Sequence, residues 1–387
     1  MLFRSEVLSQ EYHGRPVRPP LFGLPISVKD LIDVADEPTT CGSGFYADIR
    51  AVPRRHAPFA HLWRTLGGCL AGKTHLNEFA YGITGENPRF GDCTIPGDPK
   101  RLTGGSSSGA AASVLGGAAC IGLGTDTGGS LRVPAGLCGL VSFRSRDWFP
   151  DHSAVFPLAP SFDTLGWIQR HIGDFGFVAR AIRPHLEPEP PSRIGFIGGP
   201  ILDGCDPAVT KARTLFMTLF SEAGVVAEEV NLSGIDKAGE IFAPMQAHEA
   251  WLKHREMMEI HADHYSTPVL SRLEWGRGIK ETRLIELEDA RHTSVTSWSD
   301  AFNPHRLLVL PAMPVPALQA GEDQSTNRPR ILKLTTPASL GCWPVLTLPW
   351  RPNGESTGIG FQVIALRGGE ERLVGFAEWF SERFLHW

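Results

Sequence analysis

The sequence predicts an α/β protein with helices layered on both faces of one sheet. Three observations carry this. Short apolar runs with β-branched residues alternate with segments of helical spacing along the whole chain. A hydrophobic fraction of 42% over 387 residues is enough for a sizeable buried core. No internal repeat, low-complexity tract or apolar run of the ~18 residues that span a bilayer breaks the alternation.

The elements follow in order. Pro25–Val28 is short and apolar, a strand. Ala57–Leu66 has helical spacing and stops at Gly67-Gly68, a C-terminal capping signal. Cys69–Ala71 reads as a short buried strand. Ser107–Leu115, rich in Ala and Ser, is a helix opened by a serine cap. Ile121–Gly124 is a strand that runs into a glycine turn. Pro184–Pro191 is proline-rich but short, so it reads as a boundary inside one domain. Asp206–Glu222 is helical between the strands Arg193–Ile197 and Val225–Val230. Met245–Arg255 is helical, and Arg277–Trp298 reads as a solvated helix. Arg306–Leu310, Val345–Leu348 and Ile359–Ile364 are late strands, and Glu370–Phe384 is a closing helix.

Composition excludes several function classes. Net charge is −5, the pI is near 6.3, and no long Lys/Arg block occurs, which argues against nucleic acid and anionic membrane surfaces as partners. The seven cysteines include no Cys-x-x-Cys pair, as expected of free thiols in a reducing compartment. Met1–Gln10 lacks a basic region followed by an apolar run, so no signal peptide is expected and the protein reads as soluble and cytoplasmic. The fourteen histidines form no metal pattern. The closest cluster, His261-Ala262-Asp263-His264, lacks the i, i+4 ligand spacing. Neither a metal nor a cofactor is implied. His248 and Glu249 read as structural.

Three residues point to chemistry. Lys29 sits in Ile26-Ser27-Val28-Lys29-Asp30, Ser106 in Gly104-Gly105-Ser106-Ser107-Ser108-Gly109, and Ser130 in Gly124-Thr125-Asp126-Thr127-Gly128-Gly129-Ser130. A serine hydroxyl is a weak nucleophile until something takes its proton. Lysine does so only when neutral, and burial at the end of an apolar strand disfavours its charged form. A second serine between base and nucleophile relays the proton, because a hydroxyl both donates and accepts. The run Thr127-Gly128-Gly129-Ser130 lets successive N–H groups converge on one spot, the requirement for an oxyanion hole.

Two other motif matches fail on context. Gly67-Gly68-Cys69-Leu70-Ala71-Gly72-Lys73-Thr74 fits the Walker A spacing, but a helical segment precedes it and the strand lies inside it. Gly105-Ser106-Ser107-Ser108-Gly109 fits a nucleophile elbow centred on Ser107, but Pro99–Thr103 is not the hydrophobic strand an elbow needs.

The three frames strongly resemble the amidase signature family. The resemblance runs from about Leu21 to Trp167 and includes Gly72-Lys73-Thr74, Asn77-Glu78-Phe79-Ala80-Tyr81-Gly82 and Pro160-Ser161-Phe162-Asp163-Thr164-Leu165-Gly166. It returns near Val309-Leu310-Pro311 and Trp343–Gln362. It implies an α/β amidase signature fold: one domain over 1–387 with a mixed, mostly parallel central sheet covered by helices on both faces. The catalytic core would be 21–167, the variable substrate-pocket region 168–305, and the closing strands and C-terminal helix 306–387. It implies a triad of Lys29, Ser106 and Ser130, with a cis peptide bond at Ser106. The backbone of Thr127, Gly128, Gly129 and Ser130 would form the oxyanion hole. Ser107 would join the supporting network, and Asp126 and Arg132 would be braces. The implied activity is cofactor-independent hydrolysis of a small amide, aryl or arylalkyl, through a Ser130 acyl-enzyme. The loop Glu78–Asn87 looks most like plant indole-3-acetamide hydrolases and their bacterial relatives. Carbamate or ester hydrolysis, and the glutaminase component of a tRNA-dependent amidotransferase, stay open as alternatives, as does a homodimer. The chain departs from the family pattern after Phe143-Arg144, where it reads Ser145-Arg146-Asp147-Trp148-Phe149-Pro150-Asp151, so a changed pocket is expected there.

Overall fold

The computed structural model describes residues 17–351 and 358–384, together with residues 6, 9–11 and 13. Ten strands form one sheet: β1 (Pro25–Lys29), β2 (Cys69–Thr74), β5 (Ile121–Asp126), β6 (Val141–Ser145), β7 (Thr164–Gln169), β8 (Arg193–Ile197), β9 (Val226–Val230), β10 (Leu307–Pro311), β11 (Val345–Pro349) and β12 (Gly360–Ala365). Their order is β2-β1-β5-β7-β6-β11-β12-β10-β8-β9, and β3 (Thr94–Ile95) pairs with β4 (Asp98–Leu102) as a separate hairpin.

The sheet is mixed and covered on both faces. Side chains alternate across it. Along β10, Leu307 and Val309 enter one core while Leu308 and Leu310 enter the other. The helix Glu370–Arg383 covers the first face with Leu373, Phe376 and Phe380. The helix Asn327–Leu340 covers the second with Ile331, Leu334 and Ala338. Parallel pairs lie at the two flanks, β2-β1-β5 and β10-β8-β9, and the five pairs between them are antiparallel. The parallel share is smaller than the alternation of strands and helices suggests. β6 runs to β7 without a crossover helix and pairs with it antiparallel, and β11 pairs antiparallel with the next strand, β12.

Most predicted elements are present with shifted ends. β2 continues to Thr74, and β1 and β5 extend to the polar residues Lys29 and Asp126. Asp206 caps the helix Pro207–Glu222 by accepting from Ala208 N at 2.7 Å. The helix expected over Arg277–Trp298 is Glu281–Ser299; Arg277 ends a separate helix, Thr267–Arg277, and the chain breaks at Gly278. β6, β7 and the helix Asn327–Leu340 were not expected.

These parts set the site. β1 and β5 are adjacent and parallel, with Val28 opposite Leu123, so Lys29 and Thr125 emerge together at their carboxyl ends. The glycine turn follows β5 and enters the helix Arg132–Cys138. Crevices at the carboxyl ends of such strands are where α/β sheets place ligands.

Candidate active site

Lys29 is fully buried at the end of β1. Its Nζ lies 2.8 Å from Ser106 Oγ and 2.9 Å from Thr125 Oγ1. Among the described residues it forms no ion pair, so its only polar neighbours are hydroxyls, which suit a neutral amine as well as an ammonium. Burial pulls its pKa from 10.5 down to about 7, against the opposing fields of Asp126, Asp163 and Cys41.

Ser106 is buried, and the Gly105–Ser106 peptide bond is cis. Glycine is required before it. A Cβ on Gly105 would lie 2.0 Å from Asn77 Oδ1. Ser107 N donates to Ser130 O at 3.1 Å, which ties the two serine turns together. Ser107 Oγ donates to Thr125 O at 3.2 Å and does not cap the helix Ser108–Leu115. The expected serine cap is absent because this tertiary acceptor takes the hydroxyl. So engaged, Ser107 is no elbow nucleophile.

Ser130 is 4% exposed at the end of the glycine turn, and its hydroxyl makes no hydrogen bond among the described residues. Gly129 has φ +124°, and a Cβ there would press on Thr335 at 3.0 Å. Its N–H donates to Asp126 Oδ1 at 2.9 Å. Gly129 thus braces the turn, whereas the N–H groups of Thr127, Gly128 and Ser130 have no acceptor among the described residues. This corrects the expectation of four equivalent open donors.

Asp126 and Arg132 hold that turn in shape. Asp126 accepts from the backbone N–H of Gly129, Leu131 and Arg132 and pairs with Arg132 at 2.8 Å and Arg144 at 2.9 Å. Burial disfavours its charge, but Arg132 and Arg144 outweigh this and keep its carboxyl well below the usual range. Arg132 also donates to Thr335 O, Gln362 Oε1 and Ser339 Oγ.

Sequence reasoning missed Thr125, Arg144 and Asp163. Thr125 is the second partner of Lys29. Arg144 is the second cation on Asp126, and its complete burial inside β6 is visible only in the structure. Asp163 accepts from Thr127 Oγ1 at 2.6 Å and from Leu158 N and Ala159 N, anchoring the turn from the opposite side.

The remaining sequence candidates lie elsewhere. Lys73, inside β2, pairs with Asp30 at 2.7 Å, so the Walker-like run is a strand and not a phosphate loop. His261 and His264 pack on the Phe45 ring, and no metal-holding group occurs among the described residues. Glu249 accepts from Ser161 N at 2.9 Å, and His248 contacts Gly276 O, both structural roles. The departing loop is tethered at three points: Ser145 bonds Glu370, Arg146 donates to Pro160 O and Asp163 O, and Asp147 pairs with Arg367. All seven cysteines are free thiols, and no helix among the described residues is long and apolar enough to cross a membrane.

A buried lysine on two hydroxyls, a serine beside open backbone donors and a braced turn can carry out acyl transfer. The chain is 28% identical to a glutamyl-tRNA(Gln) amidotransferase subunit of Akkermansia muciniphila, over 97% of this chain and 90% of that protein. It is 28% identical to a 2-amino-5-chloromuconic acid deaminase of Comamonas testosteroni, over 92% of this chain and 81% of that protein. A crystal structure of an amidase superimposes with a TM-score of 0.88 at 29% identity, covering 98% and 89% of the two chains. The Amidase family model matches residues 5–374, nearly the whole chain, and the protein therefore belongs to the amidase signature family of hydrolases acting on carbon–nitrogen bonds.

Proposed function

We propose that the protein hydrolyses a small linear amide through an acyl-enzyme on Ser130. Neutral Lys29 takes the proton of Ser106, Ser106 takes that of Ser130, and Ser130 Oγ attacks the carbonyl carbon. The N–H groups of Thr127, Gly128 and Ser130 hold the developing oxyanion. The relay then runs backward to protonate the leaving amine, and water hydrolyses the acyl-enzyme. The observation that carries this reading is Lys29 Nζ 2.8 Å from Ser106 Oγ in a site that brings its pKa to about 7. Residues 168–305 contribute pocket wall, supported by Gln246, Arg272 and Trp275 around a cavity beside Tyr81. A cytoplasmic location agrees with the free thiols.

The deciding experiment is ammonia or amine release from a panel of aryl, arylalkyl and aliphatic amides, an anilide, a carbamate and glutamine, with wild type and Ser130→Ala in parallel. Release by wild type alone is expected. Equal release by both proteins would remove Ser130 as nucleophile. A second reading is favoured by the relatives that are glutamyl-tRNA(Gln) amidotransferase components: a glutaminase that works within a complex. Its mark would be glutamine hydrolysis that appears only with partner proteins.

A further inference from the structure

One arginine near the serine turns has no use in the mechanism above. Arg328 is half-buried, and its guanidinium meets no acceptor and no carboxylate partner among the described residues. Its contacts are the Tyr81 ring, 5.8 Å from the guanidinium carbon, and the neighbouring charge of Arg272. Arg272 lies 5.5 Å from the same ring and donates to Tyr81 O. Both arginines line a cavity of about 190 Å³ with Tyr81, Gln246, Trp275 and Leu332, and no carboxylate lines it. The adjoining cavity of about 220 Å³ is lined by Glu78, Glu86 and Asp323 as well; Glu86 acts on Arg272, and none of the three pairs with Arg328.

Both cavities reach residues that pack against the two glycine turns. Leu332 lies 3.1 Å from where a Cβ on Gly128 would sit. The adjoining cavity shares Tyr81, Arg272 and Arg328, and its wall includes Ile83, whose carbonyl accepts from Gly105 N at 2.9 Å. Burial, then the like charge of Arg272, pulls the Arg328 pKa from 12.5 to about 10. An enclosed Arg328 beside a like charge, with no carboxylate partner of its own, is costly unless something anionic completes the site. A carboxylate matches a guanidinium with two parallel hydrogen bonds.

We propose that this cavity is a subsite for an anionic group, so that the substrate is an amide that also carries a carboxylate, anchored by Arg328 with Arg272 beside it. This rests on the amidase reading and narrows its substrate class.

The test separates the two. Succinamate and glutaramate, and the matched neutral diamides, are titrated calorimetrically into Ser130→Ala protein, which holds ligand without turnover. At least one acid should bind about tenfold or more tighter than its diamide. The preference should vanish in Ser130→Ala/Arg328→Ala and survive in part with Arg328→Lys. Equal binding of acids and diamides, or a preference that persists without Arg328, overturns the subsite. If the alanine variant does not fold, the lysine variant and the acid-to-diamide comparison still decide. Fluorophosphonate labelling of Ser130 in the unsubstituted protein judges the amidase reading separately. Labelling without acid preference removes the subsite alone, and acid preference without labelling removes the serine mechanism alone.

Discussion

Lys29 is the residue on which the chemistry turns. A buried ammonium is disfavoured, and with only hydroxyls as hydrogen-bond partners the fields of Asp126, Asp163 and Cys41 restore only part of what burial removes. The base is the neutral form, so activity should rise with pH through about 7 and then level, and it should fall on acidification as Lys29 takes up a proton. The kcat/KM profile reports this ionisation in the free enzyme. A flat profile from pH 8 to pH 5 would remove Lys29 as base. Lys29→Ala should lower kcat by about 10²–10⁴-fold and abolish the inflection near pH 7. At this scale much was legible. Three frames of glycine or apolar residues singled out Lys29, Ser106 and Ser130. Thr125 and Asp163 were not singled out, because a threonine or an aspartate in a loop has many bland uses. Only the register of β1 against β5 brings Thr125 to the lysine. The role of Gly129 was also invisible, since composition does not say which N–H of a glycine turn points inward.

The turn between β5 and the helix Arg132–Cys138 is the element that aims the open donors. Its shape depends on one carboxylate between two buried guanidinium groups. Asp126→Asn should destabilise the fold by about 3–5 kcal/mol near neutral pH, because two buried cations then lose their counter-charge. The pH dependence has a definite sign. The folded carboxyl titrates well below the unfolded one, so its stabilisation is present above about pH 4 and is lost as pH falls below that. The gap between wild type and Asp126→Asn, measured by urea unfolding, should narrow below about pH 4. A gap independent of pH would refute the electrostatic account. This element also shows where pattern reading stops. β6 carries Ser142, Arg144 and Ser145, all buried, and a strand with so many polar residues does not read as a core strand. It is stable there because Arg144 reaches Asp126, Ala338 O and Trp343 O. Strand ends slipped for the same reason: β1 and β5 run on into Lys29 and Asp126, polar residues that tertiary partners satisfy.

At the scale of the whole molecule, the sheet and the site are one construction. Arg132, beside the nucleophile turn, donates to Thr335 O on the helix Asn327–Leu340 and to Gln362 Oε1 on β12, both at 2.6 Å. Gln362 in turn donates to Pro311 O and Leu334 O. Residues more than 200 positions apart thus hold a single buried network. The proline-rich stretch 184–191 divides the chain in sequence, but the strands on its two sides meet in the centre of one sheet, where β6 pairs with β11. The 17–183 portion alone would leave the β6 edge open and Arg132 without three acceptors. Unfolding should therefore be a single cooperative event with no surviving active half. Buried Trp63 and Trp167 report the N-terminal side and Trp298 the C-terminal side. With the difference between wild type and Trp298→Phe isolating the Trp298 signal, that signal, total tryptophan fluorescence and fluorophosphonate labelling of Ser130 should follow one urea transition with a common midpoint. Labelling that persists after the Trp298 signal is lost would show that the first 183 residues keep the site without the closing strands, and the network through Arg132 would then be dispensable.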